Sequence, residues 1–175
     1  ISSLYDRVST NIFRDNDEYF AKALHYFGNS WLTLNVTDMD LNPSPSLLSL
    51  VKEKILLNNV EDSEYLINKE ADNYYKVQGL EKGFTAALQN LLEQSKGAGF
   101  TNVVLDNDGV RRRIKLLFNK DDQYAAQLVF APILDILKPS KLIRKGNSLI
   151  IENATCPGSS TPETFSIPLD KNGNM

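Results

Sequence analysis

Residues 100–118, Phe100-Thr101-Asn102-Val103-Val104-Leu105-Asp106-Asn107-Asp108-Gly109-Val110-Arg111-Arg112-Arg113-Ile114-Lys115-Leu116-Leu117-Phe118, decide how this chain is read. Two short apolar runs flank a tight Asp106-Asn107-Asp108-Gly109 turn. Gly109 supplies the positive φ that such a turn often needs, and Asn107 tolerates it nearly as well. Beyond the turn the pattern alternates. Val110, Ile114, Leu116 and Phe118 fall on one face of an extended strand, and Arg111, Arg113 and Lys115 on the other. Arg112 breaks the alternation by falling on the apolar face. A guanidinium among core positions has to be paired or reach water, so Arg112 is the first candidate for a functional residue.

Outward from this hairpin, helical and extended patterns interleave. Asp15 to Phe27 has acidic residues in its first turn and an apolar stripe of Tyr19, Phe20, Ala23, Leu24 and Phe27, and Gly28 ends it. Ser30 to Val36 alternates as an interior strand, with Leu32, Leu34 and Val36 on one side. Ser46 to Leu57 predicts a helix after the Asn42-Pro43-Ser44-Pro45 turn. Residues 58–79, polar and acidic with Tyr65, Tyr74 and Tyr75, predict a surface loop or lid. Leu80, Phe84, Ala87, Leu88, Leu91 and Leu92 predict an amphipathic helix ending near Gly97. Gln123 to Leu137 predicts another, kinked or shortened by Pro132. Lys141–Arg144 and Ser148–Glu152 form a hairpin around Lys145-Gly146-Asn147, and Thr161 to Leu169 is extended. The expected class is therefore α/β or α+β, a single domain over residues 1–175 with a mixed sheet covered by helices.

Composition narrows the function. A chain of 175 residues with a net charge of −3 does not present the basic surface that nucleic-acid binding requires. Residues 1–100 carry −5 and residues 101–175 carry +2, a mild split. Cys156 is the only cysteine, which excludes an intrachain disulfide and a cysteine-based metal cluster. No apolar run approaches the 18 residues of a membrane span, and no signal peptide pattern opens the chain.

The usual catalytic constellations are missing. His25, the only histidine, lies on a helix without triad or metal-ligand spacing. Asp38-Met39-Asp40-Leu41-Asn42 imitates the start of a calcium loop, but Pro43 and Ser49 occupy the positions where glycine and glutamate are needed. Ser159-Ser160 beside Cys156-Pro157-Gly158 has no nucleophile elbow and no neighbouring base. Asp106 and Asp108 offer a partial cation shell, better explained as turn-forming residues. No nucleotide-binding glycine pattern occurs, and no cofactor is expected. Two readings of Arg112 stand: a salt bridge to Asp106, Asp108 or another carboxylate, or an anion-binding group facing a pocket. Arg111 and Arg113 are expected to be solvated.

Four segments taken together carry a family resemblance. Asp108-Gly109-Val110, Arg112 and the Ile114/Leu116 alternation, with Tyr124 opening a helix, form the first. Asp15 to Leu24 followed by Gly28-Asn29 and Trp31–Val36 form the second, and Gly99 to Val103 the third. Ile167-Pro168-Leu169-Asp170-Lys171-Asn172-Gly173-Asn174-Met175 closes the set. In this order they resemble the second class of CHASE domains, the cyclase- and histidine-kinase-associated sensory extracellular domains of bacterial receptors. The resemblance implies an extracytoplasmic sensor held by one membrane helix before the domain and several after it, with a cytoplasmic cyclase or kinase as output. It also implies that the chain is truncated at its N-terminus, since the family places a further strand and helix ahead of the Asp15 helix. A sheet edge left open in this way would favour a homodimer. The stimulus would be a small molecule or a protein, acting through the segment near Asp170–Met175. Two other classes stay open: an interaction module that dimerises without sensing, and a soluble enzyme whose site assembles from scattered polar residues.

Overall fold

The computed structural model describes residues 15–36, 42–62, 84–103, 106, 108–120, 123–171 and 173–175. Asp15 opens the first helix, α1 (Asn16–Phe27), by accepting hydrogen bonds from the amides of Asp17 and Glu18. Gly28 closes it at φ 67°. The expected core stripe of this helix does not hold. Only Ala21 and Leu24 are buried, and Tyr19, Phe20 and Phe27 face outward.

Strand β1 (Trp31–Val36) is the centre of a three-stranded sheet and buries Leu34 and Val36, as its alternation predicts. It runs antiparallel to β4 (Phe84–Ala86) and parallel to β5 (Gly97–Phe100). Between them α2 (Pro45–Ile55) starts at the Ser44 cap, with Pro45 in the first turn where no amide is missed. The 80–97 helix is corrected. Phe84–Ala86 is a strand and only α3 (Gln89–Gln94) is helical, while residues 80–83 lie outside the described set. The loop reading of 58–79 is corrected at its start, where β3 (Val60–Asp62) pairs with a later strand; residues 63–79, with Tyr65, Tyr74 and Tyr75, lie outside the described residues.

A second sheet orders β2 (Leu56–Leu57), β7 (Gln123–Ala126) and β6 (Leu117–Lys120), all antiparallel. The helix expected over 123–137 is thus divided. Its first four residues are β7, and α4 (Phe130–Leu137) follows. Pro132 is the third residue of α4, inside the first turn, where its missing N–H has no intrahelical partner to lose. The third sheet runs β10 (Glu163–Pro168), β9 (Ser148–Ala154), β8 (Lys141–Lys145), β3. Here the expected hairpin about Gly146 is found. With four helices and three small sheets among the described residues, the class is mixed α/β.

Two apolar clusters share the strand β7. Successive side chains of a strand point to opposite faces. Ala125 joins Leu34, Val51, Phe100 and Phe118, while its neighbour Ala126 joins Phe130, Leu134, Leu142 and Ile151.

Candidate functional site

The Asp-Gly turn forms as read, and the Asp106 amide donates across it to the Val110 carbonyl at 3.1 Å; residues 104 and 105 of the expected preceding strand lie outside the described residues. Gly109 takes φ 77° and donates to the Asp106 carbonyl at 2.8 Å, and the Asp108 carboxylate accepts from the Val110 amide at 3.1 Å. Asn107 lies outside the described residues. The partner of the returning chain is the closing segment of the protein. Ile114 and Met175 exchange backbone hydrogen bonds of 2.9 and 2.8 Å, and Lys115 bridges Asn174 in antiparallel register.

Arg112 is corrected as a core residue: its side chain is 55% exposed. Its guanidinium spans its own turn, reaching Asp106 at 3.1 Å and Asp108 at 2.8 Å. The pairing reading is the one realised, and Arg112 lines neither of the two grooves described below.

Arg113, expected to be solvated, carries the long-range contact. Its Nε donates to Asp106 at 2.7 Å, its Nη2 pairs with the same carboxylate, and Nη1 reaches Asp170 at 3.4 Å. Asp170 in turn organises the end of the chain. Its carboxylate accepts from the Asn174 backbone amide at 2.8 Å and side-chain amide at 3.1 Å, and its own amide donates to the Asn174 carbonyl at 2.7 Å. Asn174 is almost fully buried. The result is a latch of two parts, a guanidinium between Asp106 and Asp170 and a backbone pair between Ile114 and Met175. The resemblance singles out Asp170 to Met175 as the closing segment, but nothing in the sequence joins Asp170 to an arginine 57 positions earlier.

Opposite charge sets the titration of this cluster. Hydrogen bonds from Arg113, then from Arg112, hold the Asp106 carboxyl below the usual carboxylate range. The Arg112 guanidinium, then the Val110 amide, do the same for Asp108. A carboxyl whose folded value is depressed contributes its full stabilisation above its unfolded value near 4 and loses it as pH falls through the folded value. The pairing of Asp106 with the two arginines is therefore expected to be unchanged from about pH 5 to 8 and to weaken only in stronger acid. A carboxyl-carbon NMR titration of Asp106 checks this, and a midpoint at or above about 4 would contradict it.

The two arginines differ in what they hold. Arg113→Gln is expected to speed amide exchange at Ile114 and Met175 on the order of tenfold, as local opening. Because the side chains are only partly buried, the melting temperature is expected to fall by no more than about 4 °C. Arg112→Gln, which touches only its own turn, leaves both amides unchanged.

Beside the latch lies an open apolar groove of roughly 390 Å³ between α4 and the third sheet. Ile114 and Met175 form one edge, Val129 and Ile133 the other, with Phe165 and Ile167 on the sheet side. Cys156 lies on its wall. A second groove of roughly 300 Å³ lies near Trp31, Lys54 and Asp135.

The remaining candidates carry little chemistry. His25 is exposed in the last turn of α1. Ser159 closes a turn by donating its amide to the Cys156 carbonyl at 3.0 Å. Residues 38–41 lie outside the described residues. Among the described residues no group of three or more His, Cys, Asp or Glu is placed to hold a metal. No family model, curated protein or solved structure matches this chain.

Proposed function

We propose that this domain is the extracytoplasmic sensory domain of a bacterial membrane receptor, passing a stimulus to a cytoplasmic cyclase or kinase. The observation that carries the reading is the latch. Among the described residues, the Arg113–Asp170 ion pair and the backbone hydrogen bonds between Ile114 and Met175 tie the closing segment to a turn far away in sequence. An end held this way has two natural states, engaged and released. A stimulus that binds one of them better shifts the population of the other. The apolar groove shares Ile114 and Met175 with the latch, so occupancy there would bear on the segment directly.

No described helix is long and apolar enough to cross a membrane, so in this reading the spans lie in flanking sequence. Determining the parent reading frame on both sides tests this. One hydrophobic helix shortly before Ile1 and several after Met175 are expected. Soluble sequence on both sides would sink the receptor reading. A second reading, a module that dimerises without sensing, has one observation in its favour: the aromatic stripe that α1 turns outward.

A further inference from the structure

Helix α1 has three faces. Ala21 and Leu24 pack inward, Glu18, Lys22 and His25 form a charged strip, and Tyr19, Phe20, Ala23, Tyr26 and Phe27 make a third, solvent-facing stripe. At 100° per residue the members of this last stripe lie within about 120° of one another. Their exposures are 65% for Tyr19, 51% for Phe20, 94% for Tyr26 and 68% for Phe27. Four neighbouring aromatics exposed to this degree are unusual on a surface that meets only water.

We infer that this stripe is a homodimer interface in which α1 packs antiparallel against α1 of a second copy, across a twofold axis at Ala23. Three observations select a second copy in this arrangement. First, the stripe is self-complementary. With the axis at Ala23, Phe20 meets the partner's Phe27 on one flank and Tyr19 meets the partner's Tyr26 on the other, phenylalanine against phenylalanine and tyrosine against tyrosine. The small Ala23 at the crossing lets the helices approach closely.

Second, the charge on the helix favours one direction of packing. Asp15, Asp17 and Glu18 stand at its N-terminal end. Antiparallel packing keeps the two acidic ends apart and opposes the helix dipoles; parallel packing would set carboxylates against carboxylates. Third, the area suffices. An aromatic side chain offers roughly 150–250 Å². Weighted by exposure, the stripe supplies on the order of 500 Å² per copy, about 1,000 Å² for the pair, where specific interfaces begin.

The test is the mass of the full chain in solution by sedimentation, with two kinds of variant. Twice the 19.7 kDa of one chain is expected at micromolar concentration. Phe20→Asp with Tyr26→Asp should yield a monomer whose melting temperature stays within about 3 °C of the parent, since both residues lie at the surface. In a Cys156→Ser background, Ala23→Cys should be joined to its partner by a short bismaleimide, and Glu18→Cys on the charged strip should not. A chain that stays monomeric up to about 100 µM, well above the affinity of standard-size interfaces, overturns the inference. So does a dimer that survives the double substitution, or Glu18→Cys joining as well as Ala23→Cys. A monomer that associates only after removal of residues 1–14 also overturns it, because the chain's own N-terminus would then cover the stripe.

Discussion

Replacing Gly99 by alanine is expected to cost about 3 kcal/mol and to lower the melting temperature by roughly 6–12 °C. Gly99 lies in β5, opposite Thr33 of β1, where the chain of residues 126–128 crosses it. A Cβ at this position would stand 2.5 Å from the Leu128 Cα and 2.7 Å from its nitrogen. These are backbone atoms held by the hydrogen bond from the Leu128 amide to the Phe100 carbonyl at 3.0 Å, so they cannot swing aside. Gly97, two residues earlier, is the control. Its Cβ would meet the Trp31 ring, a half-buried side chain with room to turn, so Gly97→Ala should cost less. Thermal unfolding of both variants decides the point. Wild-type stability for Gly99→Ala, or a larger loss for Gly97→Ala, would contradict the close crossing of β5 and residues 126–128.

Arg144→Ala should cost about as much, roughly 3 kcal/mol, through charge. Asp62 of β3 and Arg144 of β8 are register partners, and their side chains meet at 3.4 Å with the Asp62 carboxylate only 1% exposed. Removing the guanidinium takes one partner from a nearly buried carboxylate, and breaking an ion pair from one side is the costly way to break it. Arg144 also lies over Gly173, where an added Cβ would come within 3.0 Å of its Nη2. The substitution therefore strips one wall from the closing turn. If charge is the cause, Asp62→Asn should recover much of the loss when combined with Arg144→Ala. A double variant no more stable than the single one would assign the cost to packing over Gly173 instead.

What could be read in the sequence follows from how local its causes are. The helix from Asp15 with its acidic first turn, the alternation of β1, the Gly146 hairpin and the Asp-Gly turn depend on residues a few positions apart, and all are found. Gln123–Ala126 was hidden because Tyr124, Ala125 and Ala126 are all buried, between two cores, so that the strand has no polar face and looks like the start of the helix after it. The stripe of α1 was legible as a stripe but not as an outward one, because periodicity identifies a face without saying what covers it. Arg112 drew notice by breaking a pattern, yet it binds its own turn. Arg113 kept the pattern and makes the contact that matters, because its partner Asp170 is distant in sequence.

The most direct measurement of the proposed receptor role is the output activity of the membrane-embedded parent protein that this proposal requires, with Arg113→Gln in this domain. Lys22→Gln, which breaks the exposed Lys22–Glu18 pair on α1, serves as the control. The account predicts that Arg113→Gln shifts basal output severalfold at unchanged expression while Lys22→Gln leaves it at the wild-type level. Equal output from Arg113→Gln and wild type would contradict it, because the closing segment would then hold the domain together without carrying a signal.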